Sequence, residues 1–451
     1  MHILETGYIF SYIYTKSLNF NIMRVGVIIG RIGGVDGVAL ETEKWIEVLK
    51  RMGHEVFVIS GQFQERMMDP EIETLVPEMS FHSPESFWSQ KKAFFHPETN
   101  PAELIEHINL YSKVIYKRLI NWARDKKIDL LISENASALP SHLEMGIAIK
   151  NAVTRLGLPT ITHDHDFAWE RGTRYISPHK EINDFIEQVF PLRLPNSVHA
   201  VININAQKTL KEKFGRESVV VPNVMDFDLP FGQVTEKNKC LHQYLGYDCE
   251  KDLLLFQITR IVSRKAIEVA IDLVHKLDDK KIKLVITGSA ADDEGNLYYN
   301  KLVNQIHDLK LGDQVRFAAH LFHNKGLSGN NGEVQFSLSD AYAQATACTY
   351  FSTYEGFGNA FVEAVLAKRP IFVNNYKPVY WPDIGSKGFR TVMLEDNDLN
   401  NEKLNEMKEI IYNPDLAREV AEYNFELGKK YFSYDTLQEK LEELIGKIIP
   451  A

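Results

Sequence analysis

From Met23 onward, short apolar runs alternate with stretches whose apolar positions recur every three or four residues. A short unbroken apolar run fits a strand buried on both faces, and the three-to-four spacing fits an amphipathic helix. This pattern predicts strands over Val25–Gly30, Glu55–Ser60, Asp129–Ser133, Pro159–His163, Val198–Ile202 and Ser218–Pro222, with a helix over Val38–Met52. Between Asn223 and Lys251 the pattern weakens around Pro230 and Gly232, and then it restarts. Strands are predicted over Asp252–Thr259, Lys283–Gly288, Val315–Ala318, Ala347–Phe351, Pro370–Asn374 and Arg390–Met393, with a helix over Lys265–Leu277. Residues 62–100 break the rhythm with Pro, Met, Phe and His, and read as an irregular excursion over the strand ends.

Strands bounded by helices imply parallel βαβ units, hence an α/β fold with doubly wound sheets. The expected organisation is an N-terminal Rossmann-like domain over 23–223, a linker over 224–251 and a second such domain over 252–430. Two helical segments, Asp415–Lys430 and Asp435–Ile448, follow with no strand to pair with. The last, within 431–451, either closes the second domain or crosses back to the first. Open sheets of this kind bind ligands outside their strand C-termini, so the expected site is a cleft between the two domains.

Residues 1–22 are apolar enough to suggest a signal peptide. They carry Glu5, lack a basic start and offer no small-residue cleavage site, so Met23 is read as the initiator. Composition narrows the function classes. The chain has 451 residues, and 51 basic against 61 acidic side chains give a net charge of −10. That balance argues against bulk nucleic-acid binding. No apolar run reaches the roughly 20 residues that span a bilayer, so membrane insertion is not expected. The three cysteines, Cys240, Cys249 and Cys348, have neither a disulfide framework nor paired zinc-site spacings, and a reducing cytoplasm fits them best.

Four places combine glycine, charge and a strand end. Gly30-Arg31-Ile32-Gly33-Gly34-Val35-Asp36-Gly37 joins the first strand to the first helix, where backbone N–H groups can approach an anion. Its spacing is not that of a dinucleotide loop, and the second strand ends in Ser60-Gly61 where an acidic ribose ligand would be expected. Thr162-His163-Asp164-His165-Asp166-Phe167-Ala168-Trp169-Glu170-Arg171 follows another strand and is too dense in ionisable groups for a plain connection. Neighbouring side chains on an extended loop point apart and no further ligand cluster is evident, so no metal site is expected there. Arg260 and Lys265 sit five apart across a strand-to-helix turn, placed to aim a guanidinium fork and a point charge at one diphosphate. Thr353-Tyr354-Glu355-Gly356-Phe357-Gly358-Asn359-Ala360-Phe361-Val362-Glu363-Ala364 has two glutamates flanking seven residues, with a glycine turn at a helix N-terminus. The N–H groups of Phe357 to Ala360 would form an anion hole.

These residues resemble the glutamate–seven–glutamate motif of retaining glycosyltransferases of family 4, which have the GT-B fold. The resemblance runs from about Met23 to the C-terminus and takes in Gly33-Gly34, His163, Pro222-Asn223-Val224-Met225-Asp226, Arg260 with Lys265, and Gly288. Thr259, Ala266 and Val224 stand where the family has glycines. The resemblance implies a nucleotide sugar on the C-terminal domain and a small sugar or phosphorylated acceptor on the N-terminal one. It implies that Arg260 and Lys265 stabilise the departing diphosphate, and that His163, or His165 if the register slips, contacts the donor sugar. Glu355 would hold the sugar hydroxyls and Glu363 the ribose, with Gly34, Gly288, Phe357, Gly358 and Asn359 completing the donor site. No metal is implied as obligatory, with Mg2+ at most stimulatory.

Arg31, Asp166, Arg171 and Arg174 are the acceptor-side candidates, and with Lys180 and Lys387 they suggest an anionic acceptor. The aromatic stretch Tyr376–Pro382 suits stacking on a sugar or packing against the cleft. Within the family the chain is most similar to compatible-solute synthases, which implies GDP-mannose as donor and glucosyl-3-phosphoglycerate as acceptor. The rival readings are a UDP- or ADP-glucose-dependent transferase of the sucrose- or trehalose-synthase type, a sugar-nucleotide epimerase of the same fold, a nicotinamide oxidoreductase, and an inactive carbohydrate-binding subunit.

Overall fold

The computed structural model describes residues 22–34, 36–64, 67–322 and 335–449. The apolar prefix, apart from Ile22, and Val35 of the first glycine loop lie outside these residues.

Among the described residues the strands form two fully parallel sheets. The first contains β1 (Arg24–Ile29), β2 (Glu55–Ser60), β3 (Glu73–Leu75), β4 (Leu130–Glu134), β5 (Thr160–Asp164), β6 (Ser197–Val201) and β7 (Ser218–Val220). Their spatial order is β3-β2-β1-β4-β5-β6-β7. The second contains β8 (Leu253–Gln257), β9 (Ile282–Ile286), β10 (Val315–Phe317), β11 (Ala347–Tyr350), β12 (Ile371–Asn374) and β13 (Val392–Leu394), in the order β10-β9-β8-β11-β12-β13. Both orders reverse direction once, between β1 and β4 and between β8 and β11. Such switch points leave a crevice at the strand C-termini, where ligands of open α/β sheets bind.

The strands are apolar on both faces because both faces are covered. On one side of the first sheet Val25, Val27, Ile132 and Ala200 pack with Trp45 and Leu49 of α1 (Gly37–Arg51). On the other side Ile28, Phe57 and Leu131 pack with Ile115 and Leu119 of the helix Pro101–Asp125. The C-terminal helix Tyr434–Ile448 buries Leu437, Leu441, Leu444 and Ile445 in the first sheet's core, beside β6 and α1. The first strand and the last helix of the described residues thus belong to the same unit.

Two stretches differ from the sequence pattern. Residues 62–100 contain β3, which pairs with β2 at the sheet edge, and the helix Pro84–Phe94, capped by Ser83 with Pro84 at its first position. A three-residue strand is too short for a period to show. In 224–251, the short helix Leu241–Leu245 buries Leu241 and Leu245 against the second sheet's core and Tyr247 after it joins them, so this stretch is packed structure as well as a connection.

Candidate active site

The four singled-out segments all lie at strand C-termini. The glycine loop follows β1, the histidine segment ends β5, the basic turn follows β8 and the glutamate motif follows β11. Asp36 caps α1, accepting from the N–H groups of Val38 and Ala39, and also holds Arg31 at 3.1 Å.

At the second switch point, Glu355 is buried and receives Lys265 on Oε1 and Arg264 on Oε2, the latter at 2.7 Å. Burial alone would raise this carboxyl, but Lys265 and Arg264 outweigh it and hold Glu355 below its ordinary pKa. Burial likewise draws the Lys265 ammonium down, against the pull of Glu355. Arg260 is turned outward, 61% exposed and paired with Asp292, yet it is near enough to Lys265 for the two charges to repel. Three cations therefore surround the turn. Arg264 received no role from the sequence, where it stands between two residues matching the family pattern. Its proximity to Glu355 is a contact between β8 and β11 loops that spacing does not reveal.

The turn after Glu355 has an unusual backbone. Gly358 has φ +139°, and a Cβ there would lie 2.1 Å from the Tyr376 hydroxyl. That hydroxyl donates to the Phe357 carbonyl at 2.9 Å, so Tyr376 is a buried support for the turn rather than an exposed stacking surface. The helix Asn359–Leu366 starts here, and inside it Glu363 accepts from the Tyr342 hydroxyl at 2.9 Å. Burial raises the Glu363 carboxyl. Gly288 follows β9, and a Cβ on it would sit 1.9 Å from the Thr259 carbonyl, so the two loops approach as closely as backbone allows.

On the facing unit His163 is fully buried, stacked on Trp45 with 3.9 Å between ring centres, and its Nδ1 hydrogen-bonds Glu134 at 2.8 Å. Burial lowers its pKa to about 4, so the ring is neutral near pH 7. His165 lies beside it, ring centres 4.2 Å apart. Asp166 pairs with Arg171 at 2.6 Å, and both carry charge close enough to Tyr354 to perturb it, which sets this loop opposite the glutamate motif. Glu170 accepts from the Phe167 N–H, and burial lifts its pKa to about 7. Arg174 is exposed over the Tyr175 ring, and Lys180 is exposed and paired with Asp184, so neither joins this group. Lys387 lies near Asp383 and the Phe432 ring. Glu134 and Trp45 were missed in the sequence. Glu134 closes an ordinary apolar strand, and the one available signal was a charge at a strand C-terminus.

The two halves touch at the motif. Asn203 donates to the Gly356 carbonyl at 2.8 Å, Asn223 donates to Asn359 Oδ1 at 2.8 Å, and the Ile204 N–H donates to Asp383 at 2.8 Å. The resulting site has cations and a helix N-terminus on one side and a neutral histidine on the other. It can bind a diphosphate and present what the diphosphate carries to a second reactant.

Residues 248–426 match the family described as glycosyl transferases group 1. Over 446 residues the chain is 30% identical to the mannosylglucosylglycerate synthase of Thermotoga maritima, covering 93% of this chain and 99% of that one. The Petrotoga mobilis protein of the same name is 30% identical over 436 residues, covering 91% and 98%. The chain belongs to the group 1 glycosyltransferases. It is a hexosyltransferase of GT-B architecture, as its glutamate motif led us to expect, and the oxidoreductase reading falls away. Solved glycosyltransferases share the fold. A Rickettsia africae enzyme superposes with a TM-score of 0.63 at 14% identity, over 96% of this chain and all of that one. HepE of Anabaena, solved with UDP-glucose, gives 0.62 at 15% identity, over 94% of this chain and all of that one. No described helix of the transferase is long and apolar enough to cross a membrane.

Proposed function

We propose that this transferase moves a mannosyl group from GDP-mannose to the sugar of glucosylglycerate, with the anomeric configuration retained. The observation that carries the reading is the end-to-end similarity to two synthases named for mannosylglucosylglycerate. Those names contain no phosphate, so the unphosphorylated acceptor replaces the phosphoglycerate form suggested by the sequence alone. The acceptor side supports the change. Arg31 and Arg171 each already hold a carboxylate, so neither stands as an unpaired cation for a phosphate dianion.

In this reading Lys265 and Arg260 take the diphosphate, Glu363 the ribose, and Glu355 the hydroxyls of the donor sugar. Arg264 holds Glu355 in place when Lys265 turns to phosphate. The bond from the anomeric carbon to the diphosphate oxygen breaks, and its electron pair leaves with that oxygen. An acceptor hydroxyl oxygen forms the new bond on the same face and passes its proton to the departing phosphate. Negative charge grows on the diphosphate as this happens, and fixed cations act most strongly on charge that develops in the transition state. Neutralising it needs no metal ion in this reading, and Mg2+ is at most stimulatory.

A thermal-shift panel of GDP, UDP and ADP, with and without their sugars, tests the donor. Linkage gives about 2.7 kcal/mol at a hundredfold excess over the dissociation constant. Stabilisation by GDP and GDP-mannose is expected. A response to UDP or ADP compounds instead would overturn the mannosyl donor and leave the family intact.

A further inference from the structure

The side of the cleft away from the cations holds a cluster the transfer reaction leaves unexplained. β4 and β5 lie in parallel register with Glu134 opposite His163. His163 and His165 are two residues apart, so they lean to one side of the strand, while Asp164 between them points away to His199 at 3.0 Å. One donor atom from each of Glu134, His163 and His165 lies within 4.8 Å of the others, and all three residues are buried. The expectation that neighbours point apart applies to adjacent positions, and the third ligand comes from the next strand.

The cluster is short of partners. Glu134 Oε1, His163 Nε2 and His165 Nε2 are buried and make no hydrogen bond to described residues. Among the described residues the ion-pair partners of Glu134 are the two histidines, with no lysine or arginine at contact distance. A buried carboxylate lacking a fixed cation is costly, and so is each orphaned polar atom. A divalent ion held by Glu134 Oε2, His163 Nδ1 and His165 Nε2 offsets the carboxylate's charge and pairs the orphaned His165 nitrogen.

We propose that Glu134, His163 and His165 bind a transition-metal ion of the Zn2+ type. Two imidazoles and one carboxylate suit zinc, whereas Mg2+ and Ca2+ favour all-oxygen shells. Zinc bond lengths place tetrahedral ligand atoms roughly 3.3 Å apart. Glu134 Oε2 is 2.8 Å from His163 Nδ1 and 3.9 Å from His165 Nε2, which brackets that spacing. Three protein ligands leave the fourth position to water. This ion lies across the cleft from the diphosphate cations, and the proposal does not depend on the transferase reading.

The test is metal content. The full chain is loaded with Zn2+, dialysed against metal-free buffer and assayed by mass spectrometry, and in parallel titrated with Co2+ while visible absorption is followed. The expected result is one zinc retained per chain and a tetrahedral Co2+ spectrum, both lost in His165→Phe and Glu134→Gln with far-UV circular dichroism unchanged. No retained zinc in the wild type overturns the proposal, and so does equal retention in both variants. If the variants fail to fold, wild-type melting decides. A rise with Zn2+ absent with Mg2+ supports the site, and equal responses to the two ions contradict it.

Discussion

At the scale of single residues the account rests on a few buried charges and what compensates them. Lys265 is buried against Glu355, close to Arg264 and within electrostatic reach of Arg260, and in the proposed reaction it meets the leaving diphosphate. Lys265→Ala is therefore expected to lower kcat on the order of a hundredfold or more with the fold intact, because Arg264 still holds Glu355. Near-normal turnover would remove the phosphate assignment. Glu170 gives a prediction in pH. Its folded-state pKa of about 7 lies above the ordinary carboxyl value, so the folded state holds its proton longer than the unfolded one. Its contribution to stability is full below the unfolded pKa and is lost as pH rises toward and through 7. Glu170→Gln should abolish that loss, on the order of 1–3 kcal/mol between pH 5 and pH 8 in paired denaturant titrations. Identical pH profiles for the two proteins would contradict it. Glu355, Glu363, Lys265 and His163 were marked in the sequence by residue type and spacing. Glu134, Arg264 and Trp45 were not, because each acts through a partner on a different strand or helix.

At the scale of elements, the glycine turn heading the helix Asn359–Leu366 is the part most sensitive to shape. Gly358→Ala would force φ +139° on a residue with a Cβ and drive that atom into the Tyr376 hydroxyl. A backbone penalty of about 1–3 kcal/mol is expected before any clash, together with loss of the Tyr376 bond to Phe357. Urea unfolding with wild-type stability would show that the turn relaxes more easily than this. The alternation of apolar runs and helical periods made β1, β2 and the second sheet readable to within a residue or two. β3 and the helix Pro84–Phe94 escaped it, since edge strands of three residues have no period and that helix keeps Phe87 and Trp88 exposed.

Across the whole molecule, the two sheets are tied by the C-terminal helix and by hydrogen bonds that end at the glutamate motif. Leu441 sits in the first sheet's core with Val25 and Trp45, although it lies 416 and 396 residues from them in sequence. Leu441→Ala should cost about 2–5 kcal/mol, read as a lower urea midpoint with unchanged slope. A negligible change would mean that the helix does not stabilise the first unit. Sequence left both destinations of this helix open, because an amphipathic period shows which face is buried and not what it is buried against.

The central claim is the transfer itself, and the most direct measurement is product analysis after incubation with GDP-mannose and glucosylglycerate. The account predicts one new glycosidic signal by nuclear magnetic resonance, with the α configuration of the donor retained and GDP released in equal amount. It also predicts faster reaction with glucosylglycerate than with glucosyl-3-phosphoglycerate. Transfer from UDP-glucose in preference to GDP-mannose, an inverted linkage, or GDP-mannose consumed without any acceptor product would each contradict it.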